Sequence, residues 1–284
     1  MRRPKLLLVE QSRQPERELF ESLAPAFGLE VFFVDAGALE LHASAQGLQV
    51  RPPCGGVLRA ADYSALVVRS YRRFAVMKAL ALAFAREGKP VYGADPLHPA
   101  FCQDKLCDIA DLAHAGLPVP RTRAASAPVP GEVLKDNWGY GGSGVRLFQA
   151  GDDVDTWNTH VQEFLPADAD WRVLLCNGLA LPWVVVRTPA PGDFRTNTHQ
   201  GGHLQVVRAD ELPHSGRMMA LAERAGCVLG RPCAGVDLRR SSTGEPCILE
   251  VNRTPRLRLG ASSAEVVGAY LRQWAFELNA PDSV

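Results

Sequence analysis

The chain lacks any apolar run long enough to cross a membrane: its longest, residues 79–85, is seven residues, against the roughly 20 that a bilayer requires. It also lacks an excess of charge of either sign. Lys plus Arg equals Asp plus Glu at 31 each, so no global field draws it to nucleic acid or to a membrane surface. The seven cysteines (54, 102, 107, 176, 227, 233 and 247) contain no C-x-x-C pair. An odd, unpatterned set in mostly apolar segments fits reduced core thiols in a cytoplasm, not a disulfide or zinc framework. His199 and His203 are spaced as zinc ligands can be, but Gly201 and Gly202 lie between them and no glutamate follows His199, which disfavours a metal role. Only four apolar residues follow the basic N-terminus before Glu10, with no cleavage site after them. A first β-strand accounts for that stretch better than a signal peptide.

What is present divides in two. Residues 5–10, 30–35, 65–69 and 90–93 read as strands, with helices over 16–26 and 74–87 between them. Such alternation predicts a parallel sheet covered by helices. The stretch between the second and third strands is polar and poorly periodic. The basic cluster Arg69-Ser-Tyr-Arg72-Arg73 reads as a solvated face, with a functional role as the alternative. Beyond a Pro/Ala-rich connector at 124–131 the pattern changes to paired strands. Runs 171–176 and 181–186 flank Asn177-Gly178, the strongest short-range hairpin signal. A helix over 218–229 and strands over 234–238 and 247–251 complete an antiparallel half with few helices.

The stretch VLKDNWGYGGSGVRLF, residues 133–148, fits the G-x-G-x-x-G pattern. Strands flank it on both sides, whereas a dinucleotide fingerprint must open a helix. No Gly-Lys-Ser/Thr follows, which excludes a Walker A loop, and no His-Arg-Asp or Asp-Phe-Gly supports a protein kinase. What survives is a glycine hairpin with Lys135 beneath it, able to fold over a triphosphate. The last strand reads Ile248-Leu-Glu250-Val-Asn252. Side chains two apart share a face, so Glu250 and Asn252 project together, and Asp237 holds the matching place on the strand before. Two carboxylates and an amide oxygen make a hard oxygen set suited to Mg²⁺ beside phosphates. The plain alternative is a pair of polar strand ends facing solvent.

In this order the motifs resemble the ATP-grasp ligases, and within them the RimK-like glutamate ligases. They run from Asp104-Lys105 through Lys135 and the glycine hairpin, Gln162-Glu-Phe-Leu165, Asp170-Trp-Arg172, Arg187 and GDFRTNTHQGG (192–202) to Asp237 and Glu250-Val-Asn252. The resemblance implies an α/β fold, with an N-terminal parallel α/β domain at 1–98 and an ATP-grasp domain of antiparallel sheets at 99–284. The latter would comprise a lid at about 119–160 and a catalytic part at about 161–284. It implies that Lys105, Lys135, Gly141, Gly142 and Ser143 hold nucleotide phosphates, and that Gln162, Glu163, Phe164 and Leu165 read adenine. Asp170 or Glu163 would bind ribose. Arg172, Arg187, Arg195 and Asn197 would line the reacting centre, and Asp237, Glu250 and Asn252 would ligate Mg²⁺, or Mn²⁺ in its place.

The implied activity is ADP-forming ligation of a carboxylate to an amine through an acylphosphate, with glutamate or a similar amino acid added to a small-molecule, peptide or carrier-protein acceptor. A regulatory nucleotide-binding protein without ligase activity is the rival. No nucleic-acid or membrane partner is expected, and a homo-oligomer is compatible with the sequence. Two spans, 105–135 and 144–162, are short for the family, so the lid is expected to be pared down. Arg253, Arg256 and Arg258 stand where relatives carry small or acidic residues, which points to an anionic partner on the acceptor side.

Overall fold

The computed structural model describes residues 3–280 apart from 11–15, 46, 71–72, 94–95, 100–101, 103, 125–126, 140–143, 199–200 and 242. The candidate phosphate-binding residues Gly141, Gly142 and Ser143 therefore lie outside the described residues, as do Arg72 and His199. Among the described residues no helix is long and apolar enough to cross a membrane.

The first part runs β1 (Lys5–Glu10), α1 (Glu16–Leu23), β2 (Glu30–Asp35), the hairpin β3 (Glu40–Ser44) and β4 (Gly47–Arg51), β5 (Ala65–Arg69), α2 (Phe74–Arg86) and β6 (Val91–Gly93). A parallel sheet forms in the order β2-β1-β5-β6. Helices cover both faces, which is why β1 reads as an unbroken apolar run. Leu7 and Val9 enter the core under α2, while Leu6 and Leu8 enter the opposite one. That opposite core is closed by the C-terminal helix, whose Trp274 stacks on Phe20 and Tyr92 with centroids 5.9 and 5.6 Å away. The polar stretch after β2 forms the β3–β4 hairpin, which packs on α2 through Leu41 and Val50.

The next part is α3 (Lys105–His114), β7 (Thr122–Ala124), β8 (Val133–Asp136), β9 (Val145–Leu147) and β10 (Thr159–Gln162). Asp104 caps α3 by accepting from the Leu106 N–H at 2.7 Å. The four strands make an antiparallel sheet in the order β7-β10-β8-β9. No helix lies among its described residues, in keeping with the short spans. Gly144 closes the β8–β9 hairpin at φ 72°, and an added Cβ would stand 2.5 Å from the Asp136 Cβ, so a side chain is excluded on two grounds.

The third part holds β11 (Asp170–Cys176), β12 (Leu179–Thr188), β13 (His203–Arg208), α4 (Ser215–Val228), β14 (Ala234–Arg240), β15 (Pro246–Asn252) and α5 (Ser263–Asn279). Its antiparallel sheet runs β13-β12-β11-β14-β15. Asn177 and Gly178 take φ of 50° and 80°, the double-positive turn that Asn-Gly favours. One face of this sheet packs on α4 through Val173, Val184, Val236, Ile248 and Val251. The other face is apolar near Leu174, Cys176 and Val185, where α5 and the first sheet cover it, and charged beyond. The sequence division at residue 98 separates α5 from the first sheet, whereas in the structure they share one core, because the helix's Val266-Tyr270-Trp274 stripe is buried there.

Candidate active site

Cross-strand registry builds the charged face. Arg172 on β11 stands opposite Asp237 on β14, which stands opposite Glu250 on β15. Arg172 donates from Nε and Nη2 to the two carboxylate oxygens of Asp237 at 2.6 and 2.8 Å. Arg187 closes on the same carboxylate at 2.9 Å. Burial alone would push Asp237 up, but Arg172 and Arg187 overcome it and hold the carboxyl at about 2. Gly235 makes room for this: a Cβ there would meet Pro255 Cβ at 2.9 Å and the Arg172 stem at 3.0 Å.

Between Asp237 and Leu238 the β14–β15 register slips, leaving Leu249 as an extra residue. Ile248 and Val251, three apart, therefore enter the same core. Leu249 and Glu250 both line the open side, as a bulge beside a site permits. Asn252 follows Glu250 on that side, and its Oδ1 accepts from the Thr254 N–H at 3.2 Å. Among the described residues no group of three His, Cys, Asp or Glu side chains forms a metal-binding cluster. The trio Asp237, Glu250 and Asn252 instead offers two carboxylates and an amide on neighbouring strands. These are hard oxygen donors of the kind Mg²⁺ takes, with both Asp237 oxygens already accepting from Arg172 and Arg187, so that a cation would share them with the guanidiniums.

Two pockets meet at this row and share Lys105, Asp108, Arg187, Asn197, Glu250 and Val251 as a common wall. The first is lined by the β10 end Gln162 and the segment Glu163, Phe164 and Leu165, by apolar Ile109, Leu112 and Val133, and by Lys135 and Phe194. Burial lowers Lys135 to about 8, with Glu250 opposing the shift and Lys105 adding to it. His160, opposite Lys135 across the β8–β10 ladder, is lowered to about 3 by burial and then by Lys135 and Lys105. It stays neutral and donates from Nδ1 to Asn137 Oδ1 at 2.7 Å.

The second pocket is polar and open. It is lined by Asn137, Trp138, Arg172, Asn252, Arg253 and Arg256, among others. Lys105 spans the wall between the two, its Nζ 3.4 Å from Glu250 Oε1.

Some expected residues sit elsewhere than the sequence places them. Asp170 is buried, with Arg239 on both its oxygens at 2.6 and 3.1 Å and Thr196 donating to Oδ2. It is committed to the scaffold, which leaves Glu163 as the ribose candidate. Arg195 lines the first pocket with its guanidinium held by Asp193 at 2.7 Å. Of the three arginines after β15, Arg256 lines the open pocket, and Arg258 is exposed. Arg253 lines the same open pocket as Arg256 while reaching inward to Asp108, at 3.4 Å.

Four residues escape the sequence reading. Asn137 is 4% exposed and ties the end of β8 to α3, its backbone carbonyl accepting the Lys105 N–H at 3.2 Å and its side-chain amide donating to Asp104 at 3.3 Å. Arg239 pins Asp170 and the Leu165 carbonyl. Asp108 and Arg231 form a buried ion pair. Only Asn137 gave a local signal, as a polar residue two after Lys135.

The ATP-grasp domain model of prokaryotic glutathione synthetase matches residues 133–230. A probable alpha-L-glutamate ligase of Shewanella halifaxensis is 31% identical over 193 residues, covering 60% of this chain and 41% of that protein. The chain spans 36–55% of the length of the first such relatives. The fold matches the ATP-grasp ligase PsnB in complex with a minimal precursor, Mg and ADP, at TM-score 0.70 and 17% identity over 96% of each chain. It also matches a RimK domain ATP-grasp protein from Sphaerobacter thermophilus at TM-score 0.60 and 19% identity, over 94% of this chain and 99% of that one. Over residues 133–230 the sequence matches an ATP-grasp domain, and over nearly its whole length the chain has the fold of the ATP-grasp ligases.

Proposed function

We propose that the protein is an ATP- and Mg²⁺-dependent carboxylate–amine ligase. The observation that supports this most is the shared wall. A pocket with an apolar slot and a hinge-like segment for a base abuts a polar, arginine-lined pocket for a carboxylate, and Lys105, Arg187, Asn197 and Glu250 stand where they meet. A nucleotide seated against 162–165 would direct its terminal phosphate to that wall. Lys105 and Lys135 would neutralise its charge. Asp237, Glu250 and Asn252 would hold Mg²⁺, which when bound draws charge off the β- and γ-phosphates.

The carboxylate substrate enters the open pocket. There Arg172 is held rigid by Asp237 through two of its nitrogens, leaving Nη1 to orient a carboxylate oxygen. That oxygen attacks the γ-phosphorus and ADP leaves, which makes an acylphosphate. An amine then attacks the acyl carbon and phosphate leaves with one of the original carboxylate oxygens. The chain's part is placement and charge neutralisation, which accords with a site holding no nucleophile–base pair among the described residues.

Relatives named for glutamate ligation, and a fold neighbour solved with a precursor peptide, support an amino acid as one substrate and a small molecule or peptide as the other. The open mouth beside exposed Trp138 and Arg256 suits an acidic acceptor. Incubation with ATP, Mg²⁺ and a panel of amino acids tests the reading. It predicts ADP and phosphate in an acceptor-dependent burst, and formation of AMP, or of no product with any acceptor, contradicts it.

A further inference from the structure

Arg231, just after α4, is 1% exposed and lines neither pocket. Its guanidinium donates from Nη1 to Asp108 Oδ2 at 2.9 Å and to the Val251 carbonyl at 2.7 Å, while Nη2 pairs with Asp108 Oδ1. A buried ion pair is weak grounds for stability, since apolar side chains of similar volume often serve as well. This one has a position that stability does not explain. Val251 lies between Glu250 and Asn252. β15 is the edge of its sheet, so its outward backbone groups have no ladder partner. Pro118 takes the Ile248 N–H at 2.8 Å, and Arg231 takes the Val251 carbonyl. Asp108 in turn lies three residues after Lys105 on α3, one turn along the same helix face. Lys105 meets Glu250 at 3.4 Å, and Arg253 at the strand's exit also reaches Asp108.

We propose that Arg231, acting through Asp108 and the Val251 carbonyl, is the positioning residue that sets the register of Glu250 and Asn252 against Lys105 for binding a divalent cation with the nucleotide. It touches neither cation nor substrate. It locks the bulged edge strand and α3 into one bracket, so that the oxygen donors on the strand and the ammonium on the helix keep a fixed separation. Buried groups of this kind behind metal ligands typically change metal affinity about 10- to 100-fold when altered.

The inference rests on the reading of Asp237, Glu250 and Asn252 as the Mg²⁺ ligands, and binding measurements separate the two. ADP affinity is measured by calorimetry across a Mg²⁺ titration for the wild type, Arg231→Lys, and the double variant Asp108→Leu with Arg231→Met, with melting curves for each. Arg231→Lys keeps a point charge but loses the fork. It should retain Mg²⁺-free ADP affinity within about twofold while needing about 10- to 100-fold more Mg²⁺ to reach the tightened state. The double variant, whose apolar pair refills the buried space, should melt near the wild type yet show the same Mg²⁺ defect. A wild type that ignores Mg²⁺ overturns the metal reading and this inference with it. A responsive wild type beside an equally responsive Arg231→Lys, an equal loss of ADP affinity with and without Mg²⁺, or a double variant with normal Mg²⁺ response overturns the inference alone.

Discussion

Raising the pH from 7 to 9 should weaken Mg·ADP binding about tenfold, and Lys135 is the reason. In the free protein burial lowers its ammonium to about 8, with Lys105 and Arg239 pressing the same way and Glu250 and Asp170 opposing. At pH 7 the group is mostly charged; at pH 9 only about a tenth of it is. Nucleotide phosphates favour the charged form and raise its pKa on binding, so above about 8 the complex must take up a proton to form. Affinity then falls about tenfold per pH unit, or about 1.4 kcal/mol, until the bound-state pKa is reached. Below 8 the dependence vanishes. Calorimetry at constant ionic strength in two buffers of different ionisation heat gives both the affinity and the proton uptake. Lys135→Arg keeps its charge throughout the window and should flatten the profile, whereas Lys135→Ala should flatten it at the weak level. Wild-type affinity that is level across this range, or an undiminished slope in Lys135→Arg, would refute the assignment of Lys135 to the phosphates.

Asp237→Asn and Glu250→Gln should each lower turnover at least about a hundredfold at millimolar Mg²⁺, and near-native ADP formation by both would remove them as ligands. Gly235→Ala places a Cβ 2.9 Å from Pro255 and 3.0 Å from the Arg172 stem. It should cost about 1–3 kcal/mol in a urea melt and cut kcat while sparing ADP affinity; an unchanged melt would show that Arg172 has room to move. Arg256→Ala should raise the KM for the amino-acid acceptor about tenfold, as loss of a charge-assisted contact does, with the KM for ATP unchanged. Equal change in both would reduce Arg256 to surface charge.

Elements buried on both faces were legible in the sequence, because β1 and β5 must be apolar throughout and no helix of that length competes. Alternation likewise put Glu250 and Asn252 on one face. It could not show the extra residue Leu249, since a bulge is a property of the pair and not of one strand. The α5 helix carries its signal at Val266, Tyr270 and Trp274, four apart, yet the run of paired strands before it suggested few helices. The β3–β4 hairpin is weakly patterned because most of its residues are exposed and only Val50 is buried. Asp170 looked like a ligand-binding acid because its partners, Arg239 and Thr196, lie 69 and 26 residues away. Arg231 and Asp108 stay hidden for the same reason, being 123 residues apart. Long-range ion pairs leave no periodicity, so a sequence yields the donors that face a ligand more readily than the groups that aim them.

The central claim, that a carboxylate oxygen captures the γ-phosphate before an amine displaces it, is tested most directly by isotope transfer. The acid substrate that supports turnover, labelled with heavy oxygen in its carboxylate, is incubated with ATP, Mg²⁺ and the amine, and the released phosphate is examined by mass spectrometry. The account predicts one labelled oxygen in each phosphate released. Unlabelled phosphate, with amide product still formed, would contradict it.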